Sequence, residues 1–181
     1  MTYKKALFTF VTYCLLLSSC NNRNNDTNNS TNQDNAYRVI DSEALFDAHK
    51  ESMRKENIQI NDFLERYKWD MQTTPTGLRY MIYERGEGRK AEKGDIVELN
   101  YIVKFLNGEL VYSSDNDGVK TFQLSKSQET SGLEEGILKM SCGDKARLIV
   151  PSYLAYGVTG DLKKISIKNT LIYDIHLVDL K

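Results

Sequence analysis

The chain has 181 residues and 20.8 kDa, with 24 basic against 25 acidic side chains and a net charge of −1. That length allows one domain plus an appendage, and the near-neutral balance argues against a nucleic-acid binder, which needs a basic face for phosphates. Three cysteines (Cys14, Cys20 and Cys142) cannot all pair, which speaks against a disulfide framework.

Lys4 and Lys5 precede the uncharged, largely apolar run Ala6–Leu17. Twelve such residues are too few to span a bilayer as a helix, which takes about 20. A basic start, a short apolar stretch and then small residues make a secretory leader, expected over 1–19. The sequence Leu17-Ser18-Ser19-Cys20 resembles the lipobox of bacterial lipoproteins. That resemblance implies cleavage before Cys20 and acylation of Cys20, a membrane anchor made of several chains. An ordinary cleaved leader without lipid is the alternative. Removing residues 1–19 takes Lys4 and Lys5 away and moves the net charge from −1 to −3. Cys142 is then left without a partner and reads as a small core residue.

Residues 20–40 follow as an Asn-rich tether. Eight of the fifteen residues from Asn21 to Asn35 are Asn and none is apolar, so this stretch is expected to be disordered. A helical extension is expected over 41–76. Ile60, Phe63, Leu64, Tyr67 and Met71 recur on one face at helical period, and Asp62 with Glu65 reads as a start signal. Ala44, Leu45, Ala48 and Met53 mark a weaker apolar side upstream. The pattern predicts two short helices, or one broken near Asn57–Asn61, ending at Thr74-Pro75-Thr76-Gly77.

After Gly77 the period changes to two. Val97, Leu99, Tyr101, Val103 and Phe105 alternate with Glu98, Asn100, Ile102 and Lys104, which predicts a long half-buried strand. Asn107-Gly108 is a hairpin signal. Leu110–Ser114, Lys120–Leu124, Lys145–Val150 and Thr170–Leu180 are further strands, and Leu133–Met140 alone reads as helix. The fold class is α+β: an antiparallel sheet of five to six strands wrapped over one short helix. The chain carries no HExxH, no GxSxG, no phosphate-binding loop and no clustered Cys/His pairs, so neither a metal nor a cofactor is expected.

Several short motifs then occur in one order: Gly94-Asp95-Ile96-Val97, Asn100-Tyr101, Asn107-Gly108, Ser113-Ser114 and Gly132-Leu133-Glu134-Glu135-Gly136. Gly143-Asp144-Lys145, Ile149-Val150-Pro151-Ser152, Ala155-Tyr156-Gly157 and Leu171–Leu177 continue the series. Together they resemble the FKBP-type peptidyl-prolyl cis-trans isomerase domain, over residues 77–181. The lipobox and Asn-rich spacer are also similar to gliding-motility-associated FKBP lipoproteins of Bacteroidota. The resemblance implies an isomerase and folding helper of the cell envelope, facing the periplasm, held to a membrane by Cys20 and acting on proline-containing polypeptides. The alternative is a degenerate domain that binds or scaffolds within an envelope machine. Residues 41–72 then either serve dimerisation, as in some bacterial relatives, or pack on the sheet.

Carried over by motif, the resemblance implies that Tyr101 is the pocket tyrosine of the long strand. It makes Leu133 the pocket floor and Tyr173 the aromatic of the last strand. Tyr156 is the hydroxyl that bonds a substrate carbonyl, and Thr130 offers its backbone N–H to the substrate. Ile165 falls at the aliphatic flap, and Val111 and Tyr112 stand where Phe-Asp is usual. Lys120 replaces an aromatic, Glu129 and Thr130 replace Val-Ile, and Lys163 and Lys164 replace an apolar flap. These departures make the proline rim more polar and imply slow or undetectable isomerisation of short peptides.

Overall fold

The computed structural model describes the backbone from residue 30 to residue 181 and the side chains from residue 42 onward. The expected leader, the acylated Cys20 and the tether as far as residue 29 lie outside the described residues. Two compact units divide the chain at Leu45 and Phe46, and the site lies wholly in the second, Phe46–Lys181. Of the first, the described part is helical backbone from Ser30 to Leu45.

Helix α1 runs from Ser30 to Tyr67. It starts inside the stretch read as tether and passes through Asn57–Asn61 without a break, so the two-helix expectation is corrected to one. No Pro or Gly interrupts this span, and extending an existing helix costs far less than starting one. Asp62 and Glu65 therefore sit inside the helix rather than at its start. Asn57 and Asn61 are not breakers because the fold uses their side chains: both accept from Arg79, at 2.7 Å and 3.4 Å. Tyr67 ends the helix, with Lys68 turning into the left-handed region at φ 53° and the Trp69 N–H donating back to the Leu64 carbonyl.

The strands are β1 (Gln72–Thr73), β2 (Arg79–Glu84), β3 (Ile96–Phe105), β4 (Leu110–Ser113), β5 (Lys120–Gln123), β6 (Lys145–Val150) and β7 (Leu171–Leu180). Their order is β1-β2-β6-β7-β3-β4, with β5 also on β3, and every pairing is antiparallel. A four-residue helix α2 (Ser114–Asp117) follows β4, and α3 (Ser131–Ile137) precedes β6. This is the α+β architecture expected. The two strands not anticipated are β1 and β2, whose run Arg79–Glu84 lacks clean alternation: its burial grades from buried to exposed along the strand.

Leu133 and Ile137 of α3 enter the main core beside Leu99, Leu148 and Ile175. Glycine makes that approach close. A Cβ on Gly136 would stand 2.4 Å from Leu148 Cδ1, and one on Gly132 would stand 2.4 Å from Val150 Cγ1. The helix thus lies directly on β6, which brings Leu133 to the sheet. On the opposite face, Ile60 and Phe63 of α1 pack with Ile149 and Ile172. Ile60 and Phe63 of the face read at helical period are thus covered by the sheet, while Tyr67 is 54% exposed. Among the described residues, no helix is long and apolar enough to cross a membrane.

Candidate active site

The register of β3 on β7 sets the site. Val103 lies opposite Tyr173, Tyr101 opposite Ile175 and Leu99 opposite Leu177. Opposed residues share a face and alternate residues share it too, so Leu99, Tyr101, Val103 and Tyr173 all look inward. Leu133 comes up from α3 beneath them. With Tyr112 of β4 and Tyr156 of the β6–β7 loop they line a cleft of about 370 Å³. The side chains at its depth are little exposed: Leu133 is 1% exposed, Tyr173 4% and Tyr101 8%.

Of the sequence-predicted residues, Tyr101, Tyr112, Leu133, Tyr156 and Tyr173 meet in this cleft. Three others are not among its lining side chains. Val111 and Ile165 are buried in the main core and support the wall, and Thr130 stands at the N-cap position of α3 with its side chain buried. The Thr130 N–H donates to no acceptor among the described residues, and its buried hydroxyl likewise has none. Lys120 and Lys163, two of the expected departures, also line the cleft, and it recruits Asp117 and Asp161, which the motifs did not single out. No local pattern marks Asp161: its partner Tyr112 lies 49 positions earlier in the chain.

Asp161 organises the outer lip. Its carboxylate accepts the Tyr112 hydroxyl, the Lys163 N–H at 2.9 Å and the Ile165 N–H at 2.8 Å. Burial alone would raise this carboxyl; the Tyr112 hydroxyl and those backbone donors outweigh it and hold Asp161 below its ordinary value. Burial, reinforced by the bond to Asp161, pushes the Tyr112 phenol up to about 12. Lys164 lies over the Tyr112 ring, its Nζ 4.7 Å from the centroid, and donates to the Val111 carbonyl at 3.1 Å. Where the motif has a carboxylate after the hairpin this chain has Tyr112, and a carboxylate from the β6–β7 loop, Asp161, accepts its hydroxyl.

At the other rim Lys120 Nζ donates to Glu129 at 2.8 Å and sits 5.5 Å from the Tyr101 ring centroid. Two of the charges expected to make the rim polar therefore satisfy each other across it. Burial raises the phenols of Tyr101 and Tyr156, and nearby carboxylates add to the effect. Burial lifts Tyr173 furthest, well above the ordinary phenol range. All four tyrosines are protonated near neutral pH, as phenols ordinarily are. Among the described residues no group of three or more His, Cys, Asp or Glu is arranged to hold a metal ion. A second hollow of about 220 Å³ lies on the outer face of the sheet, between Phe63, Trp69, Ile102 and Ile172. Arg147 occupies its edge, stacked on Trp69 and bonded to Asp174.

The Tyr112–Asp161 bond generates a pH-dependent prediction. Tyr112→Phe leaves a half-buried carboxylate one donor short and lowers urea stability by about 1–3 kcal/mol. Because the folded value of Asp161 is depressed, the wild-type advantage is complete above the ordinary carboxyl value of 3.8 and is lost as pH falls through the lower folded value. A difference between the two proteins that does not shrink in acid would contradict the assignment.

The family model described as FKBP-type peptidyl-prolyl cis-trans isomerase matches residues 87–178. The probable FKBP-type peptidyl-prolyl cis-trans isomerase FkpA of Neisseria meningitidis serogroup B is 38% identical over 111 residues, covering 61% of this chain and 40% of that protein. Outer membrane protein MIP of Legionella longbeachae is 35% identical over 108 residues, covering 59% of this chain and 46% of that one. The chain thus spans less than half the length of these curated relatives. Among solved structures, FkpA from Escherichia coli superposes with a TM-score of 0.63 at 26% identity, covering 88% of this chain and 74% of that chain. AtFKBP13 gives 0.58 at 29% identity, covering 62% of this chain and 100% of that chain. The matched span takes in every residue of the cleft and more than half of the chain, and the protein belongs to the FKBP-type peptidyl-prolyl cis-trans isomerase family.

Proposed function

We propose that the chain is a peptidyl-prolyl cis-trans isomerase of the cell envelope that helps secreted or envelope proteins fold. The convergence of Tyr101, Tyr112, Tyr156 and Tyr173 over the Leu133 floor carries this reading. Rotation about an X-Pro bond faces a barrier of roughly 18–20 kcal/mol, because it breaks amide resonance. The planar amide is the more polar form and keeps its hydration outside. A dry cleft that accepts the proline ring favours the twisted amide, and only that preference lowers the barrier. Leu99, Val103 and Leu133 supply the apolar surface. The Tyr156 hydroxyl and the Thr130 N–H supply hydrogen bonds to the carbonyls that flank the proline. Tyr156 can donate throughout the neutral range, where a phenol is ordinarily protonated, and burial raises it further.

The Lys120–Glu129 ion pair and the lysines of the flap favour a second reading, a binding or scaffolding part of an envelope machine. Charge at the rim holds water near the proline and weakens the preference for a twisted amide. Cys20 is the proposed lipid anchor, which places the domain at a membrane; the relative named outer membrane protein MIP supports an envelope setting.

The full chain in mild detergent should accelerate the proline-limited phase of a refolding protein, a step that takes tens to hundreds of seconds uncatalysed. Tyr156→Phe and Leu133→Ala should each reduce the acceleration, with turnover of short peptides slow throughout. An unchanged slow phase accompanied by suppressed aggregation would establish the binding role instead. Cells fed a labelled fatty acid should label the wild-type chain and not Cys20→Ser; equal labelling would remove the anchor.

A further inference from the structure

The loop between β6 and β7 carries Tyr156, Asp161 and Lys163, and its two ends meet on one carboxylate. Glu56 of α1 accepts the Ser152 N–H at 2.6 Å on Oε1 and the Ser152 hydroxyl at 2.9 Å on Oε2. The Thr170 hydroxyl also donates to Oε1. Ser152 opens a short 3-10 turn, and its carbonyl accepts the N–H groups of Ala155 at 3.1 Å and Gly157 at 2.8 Å. Those two amides flank Tyr156. Thr170 adjoins Leu171, the first residue of β7, on which Tyr173 sits. Ser152 and Thr170 are 8% and 7% exposed, so water is a poor substitute for the carboxylate. An ionised acceptor makes the stronger class of hydrogen bond.

We propose that Glu56 is a positioning residue for the cleft: it clamps the base of the β6–β7 loop and thereby holds Tyr156 over the Leu133 floor. The inference rests on the reading of the cleft as the isomerase site. Glu56 touches no part of the cleft lining and acts through Ser152 and Thr170. It lies on α1, upstream of residues 87–178, so the helix outside the family match helps to shape the site within it.

Hydrogen exchange and peptide kinetics on the full chain test this. Glu56→Ala should speed exchange of the Ala155 and Gly157 amides about tenfold or more, while β3 and β7 amides change only with global stability. With a proline-containing tetrapeptide, the same variant should raise KM more than it lowers kcat. Glu56→Gln should restore both readouts, because its carboxamide oxygen can accept the Ser152 N–H and its NH2 can donate to Ser152 Oγ. Unchanged exchange at Ala155 and Gly157, equal acceleration across loop and strands, or a Gln variant that behaves as Ala would each overturn the clamp. A wild-type chain that leaves the proline-limited refolding phase unchanged would instead sink the isomerase reading and leave the exchange experiment to judge the clamp alone.

Discussion

The pairing of β3 with β7 in a single register is the constraint on which the site depends. Nine residue pairs run from Val97–Leu180 to Phe105–Leu171, with one irregularity at Glu98–Leu99. A slip of one residue would send Tyr101, Val103 and Tyr173 to the outer face and bring Ile102, Ile172 and Asp174 inward. Both faces are specified, which is why the register holds. The inner face buries Leu99, Val103 and Tyr173 against Leu133 of α3, and the outer face seats Ile60 and Phe63 of α1 on Ile149 and Ile172. Helix α1 therefore contributes to the cleft without entering it, by helping to decide which way the strands face.

Around that apolar floor the polar groups are arranged in satisfied pairs. Lys120 meets Glu129, Tyr112 meets Asp161, and Lys164 meets both the Tyr112 ring and the Val111 carbonyl. The Asp161 and Lys164 contacts join segments about 50 residues apart and the Lys120–Glu129 pair spans nine, so the rim is held by cross-links between elements rather than by a continuous apolar wall. A rim of this kind keeps its shape at the expense of dryness. The floor and the rim thus pull in opposite directions. In the proposed reading the floor favours a twisted amide, and charge at the rim, by holding water near the proline, weakens that preference.

Much of the core was legible in the chain because its signal is local. The alternation at Val97–Phe105 located β3, and Asn107-Gly108 located the hairpin, where Gly108 adopts φ 88°. Tyr101, Leu133, Tyr156 and Tyr173 were identified from short motifs, and the fold brings them together with Tyr112. What was not legible depends on partners distant in sequence. Asp161 acquires its role from Tyr112, and Asn57 and Asn61 become helical because Arg79 uses their side chains. Val111 and Ile165 were placed at the pocket by motif resemblance alone, and both side chains are buried in the main core. Composition also misled at the start of α1, where Asn-rich sequence suggested a coil and the backbone from Ser30 is helical.

That the apolar floor between β3, β7 and α3 is what receives a prolyl residue can be tested without any assay of turnover. Methyl NMR of the full chain would be followed while a proline-containing tetrapeptide is added. Resonances of Leu99, Val103 and Leu133 should shift in a saturable way, while those of Ile102 and Ile172 beside the outer hollow stay in place. Shifts confined to Ile102 and Ile172, or no saturable shift at Leu133, would contradict the assignment of the cleft as the substrate site.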